Sequence, residues 1–96
     1  MLPANKEKRL HQRIEVNATV ILATASERVQ GTCLNLSQQG MLMEVECGRC
    51  RKGQHWQLML PAVGDRVPSI RAMATVLRVE RGVTSDLVAL LLEDVH

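Results

Sequence analysis

The sequence predicts an all-β protein, a small antiparallel barrel of six strands. Short runs rich in Val, Ile, Leu and Met recur at roughly ten-residue spacing, cut by clusters of Gly, Pro, Ser and Asp. No stretch carries the sustained periodicity of a long amphipathic helix. The chain has 96 residues, 46% of them hydrophobic, which suffices for one modest core and one domain. A barrel also removes the exposed edges that a flat sheet of this size would leave.

Residues Ile14 to Ala25, IEVNATVILATA, read as the first strand, with Ile14, Val16, Ala18, Val20 and Leu22 sharing a face. SER turns the chain, and VQGTCLNLS is the second strand, with Val29, Cys33 and Gly31 on one face. SQQG breaks it before the third strand, MLMEVE, whose Met41 and Met43 are expected to supply core plus one exposed Met. CGRCRKG is polar and glycine-containing and reads as a loop. QHWQLMLP is the fourth strand, closed by Pro61 and carrying Trp56 toward the core. IRAMATVLRVE is the fifth, RGVTSD a turn and LVALLLEDV the sixth. The last run has a helix-former's composition, but it is short and follows a hairpin-like turn, so a strand is expected.

Composition excludes several function classes. Trp56 is the only aromatic residue, so there is no platform on which successive bases of a single strand could stack, and no DNA- or RNA-binding role is expected. The net charge of +2 is uneven: Lys6, Lys8, Arg9 and Arg13 oppose Glu7 near the start, and the remainder is close to neutral. That pattern suits an acidic ligand at one place. No run is long and apolar enough to span a membrane, and MLPANKEK lacks the apolar stretch of a signal peptide. Three cysteines do not make a complete disulfide framework. A cytoplasmic protein without membrane insertion is the expectation.

Cys47 and Cys50 in CGRC, with His55 and Cys33, number four groups of the zinc-ligating kind. A second paired half-motif is missing and Cys33 falls within a strand, so no metal and no cofactor are expected; a reversible Cys47–Cys50 disulfide is the stronger of two weak alternatives. No carboxylate pair or Ser–His–Asp arrangement stands out, so the chain is not expected to be an enzyme.

Two polar clusters remain. Arg9 and Arg13, four apart in RLHQR, precede the first strand, with Lys8 beside them and His11 as a spacer between. Asn35, Ser37 and Gly40 in NLSQQG fall where the second strand ends. Asn35 and Ser37, two apart in extended chain, project to one side. Gly40 is placed to turn the chain with positive φ or to admit a ligand close to its backbone.

Together, RLHQR and NLSQQG resemble the two-part signature of the PilZ domain family, RxxxR followed by [D/N]xSxxG. The resemblance extends over nearly the whole chain, from Lys8 to about Asp94, with KGQHWQLMLP and ATVLRVE falling where later strands of the family fall. It implies a six-stranded β-barrel that binds the bacterial second messenger cyclic di-GMP through Arg9, Arg13, Asn35, Ser37 and Gly40, with Lys8 as an accessory. A basic residue at Lys8 goes in the family with a stacked ligand dimer. The chemistry agrees: a planar guanidinium pairs bidentately with phosphate and with guanine O6 and N7, and stacks on a purine. Side-chain oxygens of Asn35 and Ser37 are acceptors for guanine N1–H and N2–H₂.

The expected organisation is a flexible basic segment, residues 1–13, before a barrel, residues 14–96. Ligand would order that segment and so alter a downstream protein that the sequence does not name. The C-terminal helix common in the family is expected to be short or absent, leaving a barrel end that a second copy of the chain, in a homodimer, could cover. The rival expectation is a barrel that binds no ligand and serves only as a protein–protein interaction module.

Overall fold

In the third and fourth of the expected strands buried apolar residues occupy every second position, and the structure turns that alternation into a two-sided wall. A computed structural model describes residues 14–62, 64, 65 and 68–96. It contains β1 (Ile14–Ala23), β2 (Arg28–Leu36), β3 (Gly40–Glu46), β4 (His55–Leu60), β5 (Ile70–Glu80) and β6 (Ser85–Glu93). They form a closed barrel in the order β1-β2-β3-β6-β5-β4, every neighbouring pair antiparallel. No helix occurs among the described residues.

The core fills the barrel. Trp56, Leu22, Met43, Leu60 and Leu90 are its largest fully buried side chains, with Val20, Val76, Val88 and Cys33 packed among them. β6 lies between β3 and β5. Its unbroken apolar run is shared between the two faces: Val88, Leu90 and Leu92 are buried, while Leu87, Ala89 and Leu91 on the other face are half-buried. A helix there would have turned part of the run to solvent.

Two sequence expectations are corrected. β1 stops at Ala23 rather than Ala25, because Thr24 begins the turn: its Oγ1 accepts from the N–H groups of Ser26 and Glu27 at 3.3 and 3.1 Å. In β3, neither methionine is the exposed one. Met41 and Met43 are both buried and Leu42 between them faces out half-buried, as period-two alternation requires.

At the end of the barrel away from Gly40, one carboxylate ties two loops together. The Asp86 side chain is completely buried at the start of β6 and accepts from the N–H groups of Gly48 and Gly82, each at 3.1 Å, and from the Arg81 guanidinium at 2.6 Å. The Gly48 N–H contributes most to holding its pKa down, from 3.8 to about 2, against the opposing effect of burial. Because the folded-state value is the lower one, Asp86's contribution to stability is complete above the unfolded value of 3.8 and is lost as pH falls toward about 2. Urea unfolding of wild type and Asp86→Asn from neutral pH downward is expected to show a stability gap that closes over that interval. A gap that stays constant through it would remove this role.

Candidate functional site

Three strands of the barrel each carry an extra residue, and all three irregularities adjoin one lateral row. Between β1 and β2 the register shifts between Glu15 and Ala18, where Asn17 adopts φ 53°. Between β2 and β3 it shifts between Cys33 and Asn35. Between β5 and β6 it shifts between Val76 and Arg78, leaving Leu77 as the extra residue. The row bounded by these bulges runs Glu15, Asn35, Leu42, Ala89, Arg78 across β1, β2, β3, β6 and β5.

This row faces outward. One flanking row is Ala18, Cys33, Met43, Val88 and Val79, all buried or packed against the core. The other holds Leu36, Met41, Leu90 and Val76, all buried. Between two inward rows, Glu15 and Arg78 are exposed, and Asn35, Leu42 and Ala89 are half-buried. Asn35 therefore presents its amide on the outer wall of the barrel.

Ser37 and Gly40 close the turn beside it. β2 continues one residue past Asn35, to Leu36, and the Ser37 N–H donates to the Gly40 carbonyl at 2.9 Å. The Ser37 hydroxyl donates to the same carbonyl at 3.3 Å. That bond uses the hydroxyl's single hydrogen and leaves its lone pairs free, so toward a ligand Ser37 offers an acceptor. The Leu92 N–H donates to the Gln39 carbonyl at 2.9 Å and fastens the turn to β6.

Gly40 is needed for space and not for a left-handed backbone. It is absent from the positive-φ glycines, which are Gly48, Gly53 and Gly64. A Cβ on Gly40 would lie 3.2 Å from the Leu90 carbonyl oxygen and 3.6 Å from Ser37 Oγ. The positive-φ use expected for this glycine is not realised; the neighbour that crowds it is the Leu90 carbonyl of β6. Gly40→Ala is expected to push the turn away from the Leu90 carbonyl by a few tenths of an ångström and so weaken any binding of cyclic di-GMP several-fold while the barrel still folds; an unchanged affinity in titration calorimetry would show that the turn tolerates the shift.

Lys8, Arg9 and Arg13 lie outside the described residues, as does His11. Arg13 directly precedes Ile14, and Ile14 pairs with Leu36, two residues before Gln38 of the NLSQQG turn.

The cysteines belong elsewhere. Cys33 is buried, and burial pushes its thiol up to about 11. Burial also raises Cys47 and Cys50, at the end held by Asp86. All three are free thiols, and among the described residues no cluster of three or more His, Cys, Asp or Glu side chains is arranged to hold a metal ion. A groove of about 390 Å³ lies on another face, lined by Ile21, Met59, Arg71, Met73 and His96 among others. Ile21 is six residues along β1 from Glu15, roughly 20 Å away, so the groove is separate from the Asn35 row. Among the described residues no helix is long and apolar enough to cross a membrane.

Sequence reasoning missed Arg78 and Asp86. Both depend on how strands and loops meet: a register shift against β6 for Arg78, and for Asp86 backbone donors from two loops, one of them as far off in sequence as Gly48.

The PilZ domain family profile matches residues 7–94. The chain belongs to the PilZ domain family. Solved structures share its barrel. The Bacillus subtilis inhibitor of motility, MotI/DgrA, superposes with a TM-score of 0.76 at 17% identity, covering 100% of this chain and 49% of that protein. The PilZ domain of YcgR from Escherichia coli, solved with c-di-GMP, gives 0.70 at 11% identity over 91% of this chain and 79% of that one. Longer YcgR in its c-di-GMP complex gives 0.69 at 13% identity, over 91% of this chain and 38% of that one. This PilZ chain thus spans about half the length of the Bacillus protein. Comparison with curated proteins finds no match. At these identities the structural likeness speaks for the fold, and the family profile speaks for membership.

Proposed function

We propose that this PilZ chain is a receptor for cyclic di-GMP, a binding protein and not an enzyme. The observation that carries the reading is the outward Asn35 beside the Ser37–Gly40 turn, at the barrel end where Ile14 joins β2. Asn35 and Ser37 accept from guanine N1–H and N2–H₂, and Gly40 lets the ligand's edge come near the backbone. Arg9 and Arg13 take phosphate and guanine in their planar forks, with Lys8 adding charge. The c-di-GMP held by the PilZ domain of YcgR supports the choice of ligand.

Residues 1–13 act as the responding segment and residues 14–96 as its platform. Ligand draws Arg9 and Arg13 against the wall that carries Asn35, and the changed surface is what a protein partner reads. The site works in a cytoplasmic setting, where the messenger is made.

Titration calorimetry of the purified chain with cyclic di-GMP, run beside GTP, tests this. Saturable binding of the cyclic dinucleotide alone is expected, and the fitted stoichiometry separates one ligand from a stacked pair. No binding by calorimetry and by a second method would leave a PilZ barrel that acts through protein contacts only. Affinity is also expected to fall as salt is raised, because two phosphodiesters are neutralised by arginine. An affinity independent of salt would overturn the phosphate grip.

A further inference from the structure

Arg78 faces outward because β5 carries an extra residue. Val76 is buried against the core, so in an unbroken strand Arg78, two residues on, would point inward as well. The extra residue at Leu77 shifts the register, turns Arg78 out opposite Ala89, and gives the next inward place to Val79. Bulges are used in sheets to re-aim single side chains. Here the re-aimed group is an arginine, and it lies in the same lateral row as Asn35.

The ground between them suits a flat ring. From Asn35 the row crosses Leu42 and Ala89 before it reaches Arg78. Both intervening side chains are apolar and half-buried, and Ala89 is small enough to leave a shelf beneath a planar group. Three strand spacings separate Asn35 from Arg78, roughly 14 Å between Cα atoms, and the long arginine side chain can reach back over Ala89. Purine rings are often stacked on aromatic side chains, yet this chain's one aromatic residue, Trp56, is buried in the core. With Trp56 in the core, a guanidinium is the group this wall offers that is suited to stacking on a base.

Arg78 is also available. Its contact to Glu80 is long, Nε to Oε2 3.8 Å, and the two side chains are 65% and 60% exposed, so the pair is weak and a ligand can displace it. Arg81, by contrast, is committed to Asp86 at 2.6 Å.

We propose that Arg78 is a ligand-contacting residue of this protein, its guanidinium packed on a guanine that lies over Leu42 and Ala89. The proposal rests on the cyclic di-GMP reading and extends it to β5, a strand that neither sequence motif includes.

The test measures cyclic di-GMP affinity by titration calorimetry for wild type, Arg78→Ala, Arg78→Lys and Arg71→Ala. Arg71 sits at the other end of β5, opposite Met59, and serves as the charge-matched control. Arg78→Ala is expected to lose about tenfold or more in affinity, and Arg71→Ala to bind as wild type does. Arg78→Lys is expected to stay weak, since a lysine keeps the charge but lacks the flat face. Trp56 fluorescence and the urea midpoint should be the same in all four proteins. Wild-type affinity in Arg78→Ala would overturn the proposal while leaving the receptor reading intact. Full recovery in Arg78→Lys would overturn the stacking role. A wild-type protein that binds no cyclic di-GMP would remove the receptor reading and the proposal together.

Discussion

Arg13→Ala is expected to weaken cyclic di-GMP binding by roughly ten- to a hundredfold, the consequence of losing a charge-assisted bidentate contact of about 1.5–3 kcal/mol. The fold should survive the change. The core among the described residues is built of apolar side chains, from Val16 to Leu92, with Cys50 added from the loop between β3 and β4. Arg13→Lys should recover only part of the loss, because a lysine offers a point charge where a fork is needed. Titration calorimetry with the two variants, beside an unfolding curve for each, separates binding from stability. An Arg13→Ala protein that binds as tightly as the parent would take RxxxR out of the site.

Gly31→Ala is expected to destabilise the barrel strongly. Gly31 stands in β2 opposite Val20 of β1. A Cβ there would sit 2.5 Å from the Glu44 carbonyl oxygen, 2.6 Å from Met43 Cε and 2.8 Å from Val45 Cγ1. The methionine end can swing aside, but the carbonyl is backbone of β3 and can yield only if β2 and β3 part. Overpacking of this kind costs roughly 1–3 kcal/mol, and the backbone clash puts this case at the upper end. Urea unfolding followed by Trp56 fluorescence measures it. A midpoint equal to that of wild type would show that the two strands separate freely at this point.

The six strands were legible because each buries one face against a shared interior, and burial writes period-two alternation directly into the residues. Met41, Met43 and Val45 in β3, and Trp56, Leu58 and Leu60 in β4, are buried at every second position. The cluster Asn35, Ser37 and Gly40 was legible as the break between two strands, since these residue types build tight turns. The use of Gly40 was not settled by sequence, because positive φ and close approach both call for glycine. The backbone there does not take positive φ, and the neighbour that crowds it is the Leu90 carbonyl.

The sequence by itself determined the all-β class, the strand order along the chain, the apolar interior, and the pairing of two motifs that marks the PilZ family. Those properties follow from side-chain type and local spacing. Only the tertiary structure decided which residues share the outer wall with Asn35. Three register shifts, at Asn17, before Asn35 and at Leu77, are agreements between paired strands that neither strand's residues spell out alone. They bring Glu15, Leu42, Ala89 and Arg78 into one row, and they turn an arginine outward that simple alternation would have sent into the core. The buried Asp86 is a case of the same kind: its charge is tolerable only because Gly48, Arg81 and Gly82 bring their donors to it from two different loops.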